Sequence, residues 1–227
     1  MTLLLIIVAK LQAEGPRQAE AFTPPLYRAH QDRQRQDVTF TQLLEFWRIE
    51  TSNKKKPGSR LGLISNILKR VRKHNKLRFL FWFRLAQYWY GKGGILAAYA
   101  RRLERKLNLK YGVDISVSAR IGAGFRIAHL PGIVITGYAD IGKNFFIRQN
   151  TTIGIKTLGK DAYKLKIGDN VSVGANSCII GDDLSIGDNV VIGAMSFVNK
   201  NIPGNSTFYT KRVVCTAALS DLTPTQL

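Results

Sequence analysis

Three histidines are the residues best suited to acid–base chemistry at neutral pH, and their surroundings differ. His30 lies in a polar stretch without periodic apolar residues, His74 in a strongly basic stretch, and His129 within a regular repeat. Because the unperturbed pKa of histidine is about 6.5, an imidazole can take a proton from a hydroxyl group that attacks a carbonyl. A lone histidine is more often structural than catalytic, so the surrounding segments must decide between the two roles.

The two cysteines and the first residues of the chain indicate a reducing compartment. Cys178 and Cys215 lie 37 positions apart and show no spacing typical of a metal site, so we expect free thiols and no bound metal. The apolar run at residues 3–9 is far shorter than the roughly 20 residues that cross a bilayer, and no basic residue precedes it. We therefore expect a cytoplasmic location.

Between residues 115 and 203 aliphatic residues recur every six positions, and glycine often follows them. Helices repeat every 3.6 residues and simple strands every two, so a period of six indicates another architecture. It is typical of a triangular coil, in which each unit supplies one strand and one corner, with Gly, Asn or Asp at the strained corner. The aliphatic–glycine pairs that keep this register start at Ile121, Ile141, Ile153, Ile167, Val173, Ile186 and Ile192.

Three such units make one coil, and stacked coils form parallel sheets through backbone hydrogen bonds. About a dozen units predict about four coils. The stretch IKTLGKDAYKLK after Gly154 is too polar and basic for a packed strand. We expect it to leave the coil as a loop, where binding groups are often placed.

The stretch VDISVSARIGAGFRIAHLPGIVI carries a more specific signal. It resembles the hexapeptide-repeat acyltransferases, and within them the serine acetyltransferase-like branch that includes bacterial capsule and exopolysaccharide O-acetyltransferases. The resemblance extends from about Gly112 to Pro203. It implies a mostly β fold, a left-handed parallel β-helix behind a small basic α-helical segment, and homotrimers with active sites between neighbouring helices.

By this resemblance His129 is the catalytic general base and Asp114 is its carboxylate partner. A histidine base contributes roughly 10²- to 10⁴-fold to a rate. A carboxylate on the other ring nitrogen fixes the tautomer and stabilises the imidazolium. The resemblance therefore implies an enzyme that transfers an acetyl group from acetyl-CoA to a hydroxyl group.

Coenzyme A carries three phosphates and a long pantetheine arm, and the resemblance places it along the loop and the coil edges. Loop lysines could bind the phosphates as point charges. The pantetheine arm would run along coil edges that need small residues. Basic residues near the end of the repeat lie at the expected adenosine end. The candidates are, in that order, Lys156, Lys160 and Lys166, then Gly154, Gly174, Ala175 and Ala194, and finally Lys200, Lys211 and Arg212.

The acceptor is where the sequence departs from the serine enzymes. They carry an Arg-His-Pro element before the resumed coil, where this chain has Tyr163, Lys164 and Leu165. Ser116 replaces their histidine after V-D-I, and Ala128 replaces the acid before the catalytic histidine. We therefore expect the acceptor to be a hydroxyl of a surface-polysaccharide sugar (capsule, exopolysaccharide or lipopolysaccharide) or its precursor. The alternatives are a serine O-acetyltransferase of cysteine biosynthesis and a non-catalytic trimeric β-helix scaffold at the membrane.

Between residues 54 and 110 seventeen Lys or Arg residues stand against one acid, Glu104, so this stretch holds +16 of the net +19. Aromatic residues are interleaved with the cations: Phe79, Phe81, Trp82, Phe83, Tyr88, Trp89 and Tyr90. This mixture is typical of an anionic membrane surface, so we expect a peripheral position on its inner face. The alternative is a helical cap with an aromatic core and a solvated basic face. No nucleic-acid motif accompanies the charge, so we expect no nucleic-acid partner.

These features divide the chain into four parts. Residues 1–37 are a flexible lead, which an over-extended gene start would explain equally well. Residues 38–110 are the basic, aromatic-rich helical segment. Residues 111–204 are the β-helix acyltransferase domain, and residues 205–227 are a C-terminal tail.

Overall fold

The computed structural model describes residues 37–52, 60–160 and 162–211, and these form a helical segment followed by a stack of short strands. Residues 1–36 of the predicted lead and 212–227 of the predicted tail lie outside this description. The helices are α1 (Phe40–Thr51), α2 (Arg60–Lys73), α3 (Asn75–Lys92) and α4 (Gly94–Tyr111). The strands are β1 (Asp114–Ile115), β2 (Arg120–Ile121), β3 (Arg126–Ile127), β4 (Val134–Ile135), β5 (Ala139–Ile141), β6 (Phe146–Ile147), β7 (Thr152–Gly154), β8 (Lys164–Ile167), β9 (Ser172–Val173), β10 (Cys178–Ile180), β11 (Asp183–Ile186), β12 (Val191–Ile192), β13 (Phe197–Val198) and β14 (Thr207–Phe208).

The strands form three parallel sheets, because each coil contributes one strand to each sheet. Sheet 1 contains β1, β4, β7, β10 and β13, sheet 2 contains β2, β5, β8 and β11, and sheet 3 contains β3, β6, β9, β12 and β14. The chain runs from sheet 1 to 2 to 3 and returns to sheet 1 one coil further along. We name the three edges of this triangle the 1–2, 2–3 and 3–1 corners. The predicted parallel β-helix is confirmed.

The aliphatic residue of each six-residue unit points into the triangular core. In sheet 1, Ile115 pairs with Ile135, which pairs with Ile153, and these three residues are at most 1% exposed. Burying one such side chain stabilises a fold by about 1.5–3 kcal/mol. The period of six therefore records one buried residue per strand, stacked in register from coil to coil.

Asparagine shapes the 2–3 corner in successive coils. Asn144, Asn170, Asn189 and Asn205 have φ angles between 55° and 58°, in the left-handed region. Each side-chain amide donates to the Oδ1 of the next asparagine, at 2.8 to 2.9 Å. Asparagine tolerates this backbone better than other non-glycine residues, since its short polar side chain hydrogen-bonds locally.

The stack has close to five coils, one more than the sequence predicted. β13 adds a fifth strand to sheet 1, Ile202 bridges to Ile186 of sheet 2, and β14 adds a fifth strand to sheet 3. The β-helix therefore continues to Phe208, beyond the predicted end at residue 204. The last strand lacks the aliphatic–glycine pair, so the repeat pattern did not reveal it.

The loop after Gly154 is shorter than the sequence predicted. The chain leaves the stack after β7 and returns as β8, which pairs with β5 and β11. Within β8, Leu165 is 1% exposed, whereas Lys164 and Lys166 are exposed. The stretch is polar overall, but its alternation of apolar and polar residues is that of a strand with one buried face.

The aromatic residues of the helical segment lie mostly inside it. Phe79, Phe83, Trp89 and Tyr90 are at most 3% exposed, and they belong to a core that continues into the β-helix. Among the described helices, none combines the length and the apolar composition needed to cross a membrane. The predicted peripheral membrane position is not supported, because these rings already fill the core of a cap. The cytoplasmic location stays a prediction.

Arg84 and Glu50 join this cap to the first coil. The two side chains are 1% and 0% exposed, and their closest charged atoms are 2.6 Å apart. Arg84 also donates to the carbonyl oxygens of Ile121 and Gly122, each at 2.7 Å. Glu50 accepts from the amide of Phe125 at 3.0 Å. Both buried charges are therefore paired and hydrogen-bonded, as burial of ions requires.

We predict that Arg84→Met destabilises the fold by about 3–5 kcal/mol, because it leaves the Glu50 carboxylate buried without its positively charged partner. The double variant Arg84→Met, Glu50→Gln should recover part of this loss, since a neutral amide can still accept from the Phe125 amide. Urea unfolding followed by circular dichroism measures both. An equal loss in the single and double variants would show that the paired charge is not the cause.

Met195 has left-handed backbone at a position where the preceding coils have asparagine. Its φ is 57°, and it continues the 3–1 corner column of Asn150 and Asn176, whose side chains are hydrogen-bonded at 3.1 Å. Left-handed backbone costs an ordinary L-residue about 1–2 kcal/mol. Met195→Asn should therefore raise the free energy of unfolding by about 1 kcal/mol and extend the asparagine ladder. Chemical denaturation measures this change.

Met195→Ala is the matched control, because alanine keeps the strained backbone and adds no amide. We expect it to give no comparable gain. A gain from alanine as large as that from asparagine would attribute the effect to the exposed methionine side chain instead of the backbone.

Candidate active site at the 3–1 corner

His129 lies in the 3–1 corner, on a segment two residues longer than the same corner of the next coil. The flanking inward residues Ile127 and Ile135 are eight positions apart, whereas their stacked partners Ile147 and Ile153 are six apart. The two additional residues form a wider turn, and His129 on this turn is exposed. The one irregular interval in this part of the repeat therefore carries the histidine.

Asp114 lies beside this turn, at the start of sheet 1. Helix α4 is capped by Gly112 in left-handed conformation (φ 63°), which directs the chain into β1. The backbone amide of Asp114 donates to the carbonyl of Ile133, in the corner that carries His129, at 2.8 Å. The Asp114 carboxylate lies 3.3 Å from the side-chain nitrogen of Asn108. Asp114 and His129 thus share a corner, although no hydrogen bond among the described residues joins their side chains.

A further carboxyl group, Glu104, lies on α4 near Asp114. Part of the residue reaches solvent, but its carboxyl group is enclosed by protein and accepts from the Val117 amide at 2.9 Å. Burial raises the pKa of Glu104 to about 7, against the opposing effects of the Val117 amide, Arg101 and Arg105, and the charge of Asp114 raises it further. One feature of the sequence distinguishes this group, since Glu104 is the single acid in the basic stretch of residues 54–110.

Glu104 makes the stability of the fold decrease as pH rises. Its pKa is about 7 in the folded chain and its usual value is 4.5, so its contribution is complete below pH 4.5 and is lost as pH rises through 7. Glu104→Gln keeps an acceptor for the Val117 amide and removes the titration. We predict that this variant melts several degrees above the wild type at pH 8.5 and at a similar temperature at pH 5.

Differential scanning calorimetry at the two pH values measures the effect, with Glu45→Gln as the control for loss of an exposed helical carboxylate. If the melting temperatures of Glu104→Gln and the wild type differed by the same amount at both pH values, the predicted titration of Glu104 would be contradicted.

Three small residues predicted to line the pantetheine arm share the 3–1 corner with His129. Gly174 and Ala175 lie in this corner, and the amide of Met195, beside Ala194, donates to the Ala175 carbonyl from the next coil at 2.8 Å. Gly174 is buried, and a side chain there would meet the Ala194 backbone nitrogen at 2.3 Å. Close coil packing therefore requires glycine, and the corner presents a narrow strip of small residues.

Most of the other coenzyme A candidates lie across sheet 1, at or beyond its opposite edge. Gly154 ends β7 at the 1–2 corner, Lys156 and Lys160 follow in the loop, Lys200 lies in the same corner of the last coil, and Lys166 lies in β8 of sheet 2. Lys211 is exposed beyond β14, and Arg212 lies outside the described residues. One chain therefore divides the predicted coenzyme A residues between two edges of sheet 1.

Asp182, which sequence reasoning missed, holds the loop in place. The Lys160 ammonium lies 2.7 Å from the Asp182 carboxylate, and the amides of Thr157 and Lys156 donate to it at 2.9 and 2.8 Å. Lys160 and then the Thr157 amide hold the pKa of Asp182 well below its usual range. The charge of Lys160 is therefore already paired within the protein, whereas Lys156 contributes its backbone to the same anchor.

Tyr163 closes the loop. Its hydroxyl donates to the Thr157 carbonyl at 2.8 Å and accepts from the Lys160 amide at 3.0 Å. Its ring lies 4.4 Å from that of Tyr138, in the same corner of the preceding coil. Within the described residues no group of three or more His, Cys, Asp or Glu side chains could hold a metal ion.

The comparisons with known proteins identify serine acetyltransferases as relatives, although no family model matches the chain. The protein "Serine acetyltransferase 3, mitochondrial" of Arabidopsis thaliana is 38% identical over 105 residues, which cover 46% of this chain and 27% of that protein. The serine acetyltransferase of Buchnera aphidicola subsp. Schizaphis graminum is 36% identical over 124 residues, which cover 53% of this chain and 46% of that protein. The chain thus spans less than half the length of these relatives.

Solved structures give the same picture for the fold. Serine acetyltransferase isoform 3 from Entamoeba histolytica, in complex with cysteine, matches with a TM-score of 0.61 and 26% identity, over 78% of this chain and 60% of that chain. The serine acetyltransferase of Brucella abortus strain S19 matches in fold, with a TM-score of 0.59 and 24% identity. The left-handed parallel β-helix is confirmed. Together the matches support the hexapeptide-repeat acetyltransferases as the family of the β-helical part.

The predicted polysaccharide acceptor is wrong, because the relatives and structures that match are serine acetyltransferases. That prediction depended on Tyr163, Lys164 and Leu165 at the positions of an acceptor-binding element. In the structure Tyr163 closes the loop, and Lys164 and Leu165 belong to β8. These three residues have structural roles in the loop and in β8, so their types do not exclude serine as the acceptor.

Proposed function

We propose that this chain is a serine O-acetyltransferase, which transfers the acetyl group of acetyl-CoA to the hydroxyl of L-serine. The observation that carries the proposal is the widened 3–1 corner, which exposes His129 next to Asp114. The similarity to serine acetyltransferases in sequence and fold supports the reaction and the acceptor. Serine supplies the hydroxyl, and acetyl-CoA supplies an acetyl group activated as a thioester.

In this proposal His129 takes the proton of the serine hydroxyl as the hydroxyl oxygen attacks the acetyl carbonyl. A new C–O bond forms, the C–S bond breaks, and the imidazolium gives its proton to the departing sulfur. Asp114 orients the ring and stabilises its charged form without accepting the proton. The Asp114 backbone is held by its hydrogen bond to the Ile133 carbonyl, in the corner that carries His129.

Acetyl-CoA fits the strip of small residues at the 3–1 corner. Gly174, Ala175 and Ala194 place no bulky side chain at their own positions, so an extended pantetheine arm can lie against the backbone there. The exposed ammonium group of Lys211 lies beyond β14 at the far end of the stack and is suited to a phosphate. These positions lead from the end of the stack toward His129.

A homotrimer explains why the candidate residues lie on two edges of sheet 1. A second copy that places its 1–2 corner against the 3–1 corner of the first would bring Lys156, Lys166 and Lys200 toward His129. Closed rings of identical subunits use such head-to-tail interfaces. We therefore propose that each active site combines the 3–1 corner of one copy with the 1–2 corner of its neighbour.

The test is consumption of acetyl-CoA, followed by release of the free thiol, with L-serine and with a panel of sugars as acceptors. We predict turnover with L-serine, and a decrease in kcat of at least about 10²-fold in His129→Ala, because a general base acts in the transition state. Acetyl-CoA affinity and the melting temperature should be nearly unchanged. His74→Ala is the matched control, since His74 is an exposed histidine on the helical cap.

Two results would contradict the proposal in different ways. Turnover with a sugar but not with L-serine would overturn the acceptor and leave the acetyl transfer intact. Near-normal turnover of serine by His129→Ala would overturn the assigned base.

A further inference from the structure

Asn108 lies where α4 turns into the β-helix, and its polar groups bind that turn at several points. Its carbonyl oxygen accepts from the amides of Gly112 and Val113, the latter at 3.2 Å. Its side-chain nitrogen lies 3.3 Å from the carboxylate of Asp114, and its side-chain oxygen lies 3.5 Å from the amide nitrogen of Ile115. One residue therefore contacts four consecutive residues, ending on the first strand of sheet 1.

The carboxylate of Asp114 needs such a partner. Asp114 is exposed, so its side chain can rotate freely unless a donor holds it. Glu104, one helical turn before Asn108, interacts with the charge of Asp114, and Arg101 and Arg105 on the same helix act on Glu104. An ionised Glu104 repels Asp114, whereas the Asn108 amide attracts it and carries no charge that would compete with an imidazolium.

We infer that Asn108 is a positioning residue, which aims the carboxylate of Asp114 at the ring of His129. This inference rests on the proposed function, since it takes His129 as the base and Asp114 as its partner. The Asp114 backbone is fixed by the carbonyl of Ile133, within the corner that carries His129. With the backbone fixed, the side-chain torsions of Asp114 decide whether it meets the imidazole, and Asn108 restricts those torsions.

A double-mutant cycle in the full-length protein tests this role. We expect Asn108→Ala to lower kcat roughly 3- to 10-fold with an unchanged KM for acetyl-CoA, a coupling typical of residues in contact. In an Asp114→Asn background the same change should have little further effect, because the group that Asn108 positions has lost its charge. Leu109→Ala is the matched control, since Leu109 is the next residue of α4 and is 87% exposed.

A second measurement needs no acceptor. The ring nitrogen shifts of His129 report its tautomer, and they can be assigned in a chain with three histidines by comparison with His129→Ala. We expect Asn108→Ala and Asp114→Asn to change the tautomer populations in the same direction. The double variant should match Asp114→Asn.

The outcomes separate the inference from the proposed function. A full-size loss of kcat on Asn108→Ala in the Asp114→Asn background would overturn the positioning role and leave the acetyl transfer intact. Unchanged His129 nitrogen shifts in Asn108→Ala would overturn it even if the acceptor proves not to be serine. An absence of serine turnover in the wild type, with the expected shift changes present, would overturn the acceptor alone.

Discussion

Each coil of a parallel β-helix pairs the backbone groups of its neighbours, so the first coil needs a partner that is not a coil. The carbonyl of Ile141 in the second coil accepts from the Gly122 amide of the first at 2.8 Å. The equivalent carbonyl of the first coil, that of Ile121, accepts from the guanidinium of Arg84. Arg84 thus supplies the hydrogen-bond donor that a preceding coil would otherwise provide. Glu50 pairs with the buried guanidinium and so compensates for its loss of hydration. An open end of this kind would otherwise pair with other chains.

The same cap determines the geometry of the candidate site. Arg84 docks α3 on the first coil, α4 follows α3 after Gly93, and the left-handed turn at Gly112 then begins sheet 1. The position of Asp114 therefore depends on the packing of the helices, and the position of His129 depends on a widened corner of the β-helix. The helical segment and the β-helix therefore both position the proposed catalytic pair, although both residues belong to the β-helix. The helical segment is thus part of the site as well as a cover for the end of the stack.

Residues that look functional in a loop can be fixed by the needs of the scaffold. Tyr163, Lys164 and Leu165 indicated a changed acceptor, but the structure shows one closing a loop and two forming β8. Lys160 is a second example, since this lysine was predicted to bind a phosphate and is instead paired with Asp182. Charge and position along the chain do not distinguish a ligand-binding lysine from one that anchors its own loop. The two kinds of lysine are distinguished by whether an acidic side chain from another part of the chain pairs with the ammonium group, as Asp182 does with Lys160.

The sequence by itself determined the β-helix, because a period of six leaves one buried aliphatic residue per strand, and asparagine or glycine at the corners permits left-handed backbone. It also indicated His129 and Asp114, through a continuous local motif whose residues adjoin one corner. Tertiary structure alone decided that the basic segment is a cap with an aromatic core, since the aromatic positions do not show which surface covers them. It alone brought Asn108 and Glu104 to Asp114, and it separated the coenzyme A candidates onto two edges of sheet 1. These relations depend on how helices and coils stack, which no local pattern of residues records.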